Sequence, residues 1–424
     1  MSKVIYSISN KNFVGALLFV CALLPPFPEI FGRSLFLSLS VLVITVVAFF
    51  FNINKIKFNQ WYCVFWLAFY IFLILTMFGT EEDLALADLK ELFIPLAAVI
   101  LSFLFYSIFS VNDFISFLKE SLRAAVAFLF PVILISLVFA FLEYNQSDLS
   151  FMYKLYKPYE KYLESRQSVG LYVYPYYNSF FALMCLSIAA PFFFYKPTLA
   201  NSFVFFGSIV INVLSQSQSG LIAMVAYLII FLTLKGKRFF GVTVVMLSCS
   251  LLFVFIYGVE LLVYFSDRFD LYSLSAIRRI VEDPGSSRTL QVRLGQVVQG
   301  VEGTARNLYL IGGGLDRGGL LESWLAYMFY KHGALYTFII ALAFVYLVLR
   351  LLKSYFFLYG RDLLLSKINK SFLAFIIVMP ISQLSAFMVF THKLTPFFIF
   401  IIVVSMFISS THRFYRNDAT ANVA

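Results

Sequence analysis

Charge is scarce in this chain. Only 13% of its 424 residues are charged, while 61% are hydrophobic. A water-soluble fold of this size needs a larger polar exterior, so a soluble globular protein is excluded and the bilayer becomes the natural solvent. Cysteine is limited to Cys21, Cys63, Cys185 and Cys249, each inside an apolar run, which proposes neither a disulfide framework nor a metal site. There are three histidines, and neither an Asp-x-Asp pair nor a His/Asp cluster, so no metal and no cofactor is expected. No internal repeat and no linker to a second soluble domain is visible, so residues 1–424 read as one membrane domain.

What is present is a series of long apolar runs. About 20 apolar residues carry a helix across the hydrocarbon core. Twelve runs qualify: 13–31, 34–51, 61–78, 92–110, 122–142, 178–195, 201–214, 220–234, 239–257, 325–349, 371–390 and 394–410. The seventh and eighth are short and separated only by Ser215–Ser219 ("SQSQS"), which also fits one re-entrant element. Lys and Arg alternate between the connecting segments. One side collects Lys3, Lys11, Lys55, Lys57, Lys119, Arg123, Lys196, Lys235, Arg350, Lys353, Arg361, Lys367, Lys370 and others. The short loops of the other side carry only Arg33, Lys90 and Lys393. The positive-inside rule places both termini in the cytoplasm and reads the net charge of +10 as a topology signal, not a nucleic-acid footprint. The expected fold class is an all-α polytopic integral membrane protein of about twelve transmembrane helices.

Polar chemistry is left to the non-cytoplasmic side, the periplasm in a gram-negative cell. Two long loops lie there, 143–177 and 258–323, together with the "SQSQS" turn. The larger loop carries apolar positions at spacings of three and four: Ala276, Ile277, Ile280 and Val281, then Leu290, Leu294, Val297, Val298 and Val301. Two amphipathic helices near the membrane surface are expected. The loop is rich in arginine, including Arg288, Arg293 and Arg317, and the smaller loop adds Arg166. Guanidinium groups at this depth serve either as anchors to lipid headgroups or as forks for the phosphates of a ligand. The stretch "LYLIGGGLDRGGLLESW" (308–324) has neither the spacing of a dinucleotide loop nor the Lys-Ser/Thr of a P-loop. Gly312 and Gly314 instead permit a turn into the tenth span, which Glu322 and Ser323 open.

Three segments resemble, in order and sidedness, the O-antigen ligase and polymerase (Wzy-like) membrane proteins. The first is "RQSVGLYVYPYYNSFFAL", through Arg166, Gly170, Pro175 and Asn178; the second is "SQSQSGLIAMVAYLIIFL"; the third runs from "SSRTLQVRLGQ" to "LESWLAYMFYKHG", through Arg293, Gly312, Gly314, Glu322, Ser323, Leu325 and Gly333. The likeness covers about the second half of the chain. Two departures favour polymerases over ligases: Glu322-Ser323 stands where ligases show His-Asn, and Gln218 stands where their serine motif carries Arg. The resemblance implies a GT-C-like fold and a glycosyltransferase. Its donor would be an undecaprenyl-pyrophosphate-linked oligosaccharide and its acceptor another lipid-linked repeat unit. A chain-length regulator protein and membrane lipids are the partners it implies. On that reading Arg166, Arg288, Arg293, Arg317 and Gln218 bind the donor and Glu322 is the general base, with Asp316 second. Glu322 has a plainer role as a helix-end charge or as a partner of Arg317. Tyr172, Tyr174, Tyr176 and Tyr177 offer either sugar-stacking faces or an interfacial belt. His332 reads as a packed histidine of the tenth span. The rival activities are an O-antigen ligase with lipid A-core as acceptor and, from another class, a transporter or flippase. Transporters carry charges within spans and repeated halves; the spans here hold almost no charge.

Overall fold

A computed structural model describes residues 2–23, 33–52, 90–110, 113–145, 167–172, 174–235, 324–383 and 393–411, with a few isolated positions between them. Ten helices are described: α1 (Ser2–Leu23), α2 (Arg33–Phe51), α3 (Lys90–Phe109), α4 (Phe114–Tyr144), α5 (Pro175–Tyr195), α6 (Leu199–Ser215), α7 (Gln218–Thr233), α8 (Trp324–Leu358), α9 (Leu363–Ser382) and α10 (Thr395–Ser409). Among the described residues there is no strand. Segments 114–144, 175–195, 326–358 and 363–382 are long and apolar enough to cross a membrane, and six shorter apolar helices accompany them. The spans expected at 61–78 and 239–257 lie outside the described residues.

Short polar side chains set the helix starts. Asp113, Thr198, Ser217 and Asp362 each accept a hydrogen bond from the backbone N–H three residues on, at 3.3, 3.3, 3.4 and 3.0 Å. Each satisfies a donor that the first turn leaves open, which matters more where water is absent. Pro175 and Pro396 stand in the first turns of α5 and α10, where a missing N–H costs nothing. The expected fifth span, 122–142, proves too short at its start: α4 begins eight residues earlier at Phe114, capped by Asp113, so Lys119 and Arg123 ride on the helix. The "SQSQS" segment is not a continuous re-entrant element. Gln216 adopts a left-handed conformation (φ 51°) that ends α6, and Ser217 caps α7 at once. The described end of the eleventh span also shifts, since α9 runs from Leu363 to Ser382 instead of 371–390.

Helix α5 is the hub, buried along almost its whole length. It packs against α4, α6, α7 and α9. A hydrogen-bonded relay crosses this centre: Tyr227 Oη meets Ser371 Oγ at 2.5 Å, and Ser371 Oγ donates to Ser187 O at 2.6 Å. It joins α7, α9 and α5 by polar contacts that hydrocarbon cannot compete for. Gly207 lets α6 approach α4 closely, since a Cβ there would stand 2.5 Å from Ile133 Cγ2. α8 is one long element broken by Gly333 (φ 80°, ψ 174°), whose conformation a residue with a Cβ rarely adopts.

The two ends of the bundle differ. Lys119, Arg123, Lys196, Lys235, Arg350, Lys353, Arg361, Lys367 and Lys370 lie at one end, with a Lys119–Asp362 ion pair of 2.6 Å. Arg350 Nη2 donates there to Ser409 O at 3.4 Å, and Tyr355 Oη to Leu234 O at 2.9 Å. The opposite end gathers the C-termini of α1, α4, α6 and α9 and the N-termini of α5, α7, α8 and α10. Replacing Gly207 with Leu is expected to force α4 and α6 apart and cost about 1–3 kcal/mol, seen as a lower melting temperature of the purified protein; an unchanged melt would mean the two helices do not meet there.

Candidate functional site

The opposite end is built around a short segment, residues 167–172, laid across the helix tips. Glu143 provides its anchor. The carboxylate oxygen Oε2 accepts from Ser168 Oγ at 2.8 Å and from the backbone N–H groups of Val169 and Gly170, both at 3.0 Å. Glu143 is fully buried. Burying a carboxylate is expensive unless donors offset the cost; three converge here on Oε2, while Oε1 is buried without a hydrogen bond among the described residues. This is a correction to the expected loop 143–177: Glu143 is the penultimate residue of α4, and Pro175–Tyr177 already belong to α5.

The segment is tied from its other sides as well. Ser168 N–H donates to Leu214 O at 2.9 Å, and Gln167 Nε2 reaches Gln216 O at 3.5 Å, so both seal the last turn of α6. Asn178 Nδ2 donates to Ser168 Oγ (3.3 Å) and Ser215 Oγ (3.1 Å). Gly170 stands at φ +54°, and a Cβ on it would come within 2.8 Å of Asn178 Oδ1. The Gly170 and Asn178 positions of the first motif thus have one physical reason: the amide occupies the space that glycine leaves open. Gly220 repeats the device, because a Cβ there would overlap Ser179 Oγ.

Lys393, in the turn just before α10, closes the segment. Its Nζ donates to Leu171 O at 2.8 Å and to Ala22 O at 3.5 Å, and lies 5.2 Å from the centre of the Tyr172 ring. It is buried, and no carboxylate pairs with it among the described residues. Burial pushes its pKa down from 10.5 to about 7. Tyr172 is buried too, with its hydroxyl pKa raised by the same cause. It packs inward against Phe181, centroids 5.0 Å apart with the rings tilted by 39°, and being buried it offers no face to a sugar. Tyr174, Tyr176 and Tyr177 are half-buried and pack on one another at 4.9–5.4 Å.

The starts of α7 and α8 join this end through α9. Ser219 Oγ donates to Ser382 O at 3.4 Å, and Trp324 N–H to Gln383 O at 3.4 Å. Gln218 is the first residue of α7, partly exposed. It is the one expected donor-binding residue that is described. Arg166, Arg288, Arg293, Arg317, Gly312, Gly314 and Glu322 lie outside the described residues, as does Asp316. Arg166 precedes Gln167 directly, and Glu322 stands two residues before Trp324. The described positions within 291–302, Gln291, Gly295, Gln296, Val298 and Glu302, are helical. His332 is a buried packing residue between the rings of Tyr327 and Tyr336, at 6.0 and 4.8 Å. No group of three or more His, Cys, Asp or Glu that could hold a metal occurs among the described residues.

Sequence reasoning missed Glu143 and Lys393, reading one as the start of a loop and the other as a topology charge. The sequence carries no signal that separates them, since both adjoin apolar runs just as the exposed Arg123 does. No family model, curated protein or solved structure matches this chain. Fold and site therefore define a class only: an all-helical membrane protein with a hydrogen-bonded polar end.

Lys393 makes the stability of this end pH-dependent. Its folded pKa of about 7 lies below the unfolded 10.5, so between those values the unfolded chain binds more protons. Stability is therefore expected to rise as pH climbs from 7 towards 10.5, at up to about 1.4 kcal/mol per unit. Lys393→Met should flatten that rise in melting temperature measured from pH 7 to 10; an unaltered slope would place the proton elsewhere.

Proposed function

We propose that this chain is a polysaccharide polymerase, a glycosyltransferase that moves a growing glycan from undecaprenyl pyrophosphate onto another lipid-linked repeat unit. The observation that carries the reading is the junction of two resembling segments far apart in sequence. The "RQSVG…PYYN" segment is hydrogen-bonded to the end of α6 and to the "SQSQS" turn through Ser168, Asn178 and Gln167. The start of α8, which carries the third segment, adjoins them by way of Gln383. The first two segments and the start of α8 lie at the end opposite the basic one, which is where the positive-inside rule puts the periplasm. On this reading the chain spans the bacterial inner membrane about twelve times, with both termini cytoplasmic.

The chemistry asks for three parts. Arg166, Arg288, Arg293 and Arg317, with Gln218, hold the pyrophosphate and neutralise the charge that develops as it leaves. Glu322 accepts the proton of the acceptor hydroxyl while that oxygen bonds to the anomeric carbon and the sugar–phosphate bond breaks. Residues 167–172 form a fixed segment at the end of the bundle where Gln218 opens α7. Transport finds less support: the two buried ions described here, Glu143 and Lys393, sit at the helix tips and are engaged with loop backbone instead of lining a path through the bundle middle.

Alanine at Arg288, Arg293 or Glu322 is expected to abolish the polysaccharide ladder on gels of whole-cell extracts, while immunoblots still find the protein in membranes. Full-length polysaccharide from all three variants would sink the assignment. Deleting the gene should leave single repeat units on the core lipid; a core lipid without any repeat would indicate the ligase activity instead.

A further inference from the structure

The basic end holds an imbalance that topology alone does not resolve. No Asp or Glu occurs between Glu164 and Glu260, and Asp362 is the one acid between Glu322 and Asp418. Helices α5 to α10, with the short α5–α6, α6–α7 and α8–α9 connections, therefore contain a single carboxylate, and it is already engaged. Asp362 caps α9 through Leu365 N–H and pairs with Lys119 at 2.6 Å.

Against that, Lys367 and Lys370 stand one turn apart on α9, Lys367 against the end of α5 and Lys370 against α7, and Lys235 follows the end of α7. Lys370 lies within electrostatic reach of both Lys235 and Lys367. Lys367 Nζ donates to Phe194 O, the carbonyl end of α5, and stands 5.9 Å from the Tyr195 ring. That carbonyl accounts for Lys367. Lys370 has no such acceptor among the described residues. It is partly buried, with Nζ 4.9 Å over the Phe231 ring. A half-buried cation beside two others, with no acid within its helices, is costly unless an anion arrives from outside. Phe194, Tyr195, Leu232 and Leu363, on the same helix ends, are exposed apolar side chains that give acyl chains a surface.

We propose that Lys235, Lys367 and Lys370 form a binding site for the phosphate of an anionic lipid headgroup, at the basic end of the bundle. The apolar rim selects a lipid over free phosphate, and the depth of Lys370 selects a headgroup drawn in between helices over one that drifts along the surface. The proposal rests on the helical membrane class and is independent of the polymerase reading.

The test uses the full chain, purified and placed in nanodiscs of phosphatidylcholine with or without phosphatidylglycerol, followed by native mass spectrometry of the retained lipid. Wild type should retain phosphatidylglycerol in preference to phosphatidylcholine. The double variant Lys235→Met/Lys370→Met should lose that preference by about fivefold per lysine removed. Lys353→Met, an exposed cation of the same end, should match wild type. If the double variant fails to enter nanodiscs, Lys370→Gln alone supplies the same comparison. Equal retention by the variants and wild type would overturn the site. Delipidated protein in detergent provides the second arm: a rise in melting temperature with inorganic phosphate as large as that with phosphatidylglycerol would overturn the lipid as its occupant.

Discussion

One buried carboxylate organises the polar end of this protein. Glu143 sits at the tip of α4, out of water, and gathers the Ser168 hydroxyl and two consecutive backbone N–H groups on one oxygen. The segment 167–172 could not otherwise lie where it does, because its backbone donors face an apolar interior with no solvent to receive them. Each donor left without an acceptor would cost about 1–3 kcal/mol. The carboxylate and the segment thus stabilise each other, and neither is tolerable at this depth alone. Lys393 repeats the arrangement with the opposite sign, offering an ammonium to the Leu171 carbonyl where Glu143 offers a carboxylate to N–H groups.

From that clamp the rest of the end follows. With 167–172 fixed, Ser168 seals the last turn of α6, Gln216 turns back without a gap, and Ser217 starts α7. Asn178 fills the notch at Gly170 and links α5 to both. α9 then carries the contact on to the start of α8. The result is a rigid polar floor assembled from parts of the chain that are more than 150 residues apart. On the proposed reading, such support would hold the binding groups in place. The other end obeys a different rule. Most of its cations face outward, Lys367 meets the last turn of α5 and Lys119 pairs with Asp362, while Lys370 stands half-buried over Phe231.

The helical class, the basic end and most helix positions were legible in the sequence, because run length and Lys/Arg alternation are direct consequences of the bilayer as solvent. Helix starts were less so. Asp113 begins α4 well before the apolar run does, since a capped helix continues through charged residues such as Lys119 once they reach the surface. The polar end was legible as a set of segments but not as a structure. Arginines, glycines and Glu322 drew attention by being polar in an apolar chain, whereas Glu143 looked like the edge of a loop and Lys393 like a counted charge. Burial is a property of the packed bundle, and hydropathy at a helix tip does not distinguish a residue turned towards water from one turned inward. Tyr172 shows the same limit: four tyrosines read alike in sequence, and packing turns one of them against Phe181.

Hydrogen–deuterium exchange of the peptide covering residues 167–172 tests the account most directly, with wild type compared with Glu143→Gln and Glu143→Ala. The clamp predicts slow exchange in wild type, an intermediate rate where the Gln carbonyl can still accept, and fast exchange in the Ala variant, while peptides from α9 keep their wild-type rates. Equal protection of residues 167–172 in all three proteins would contradict it.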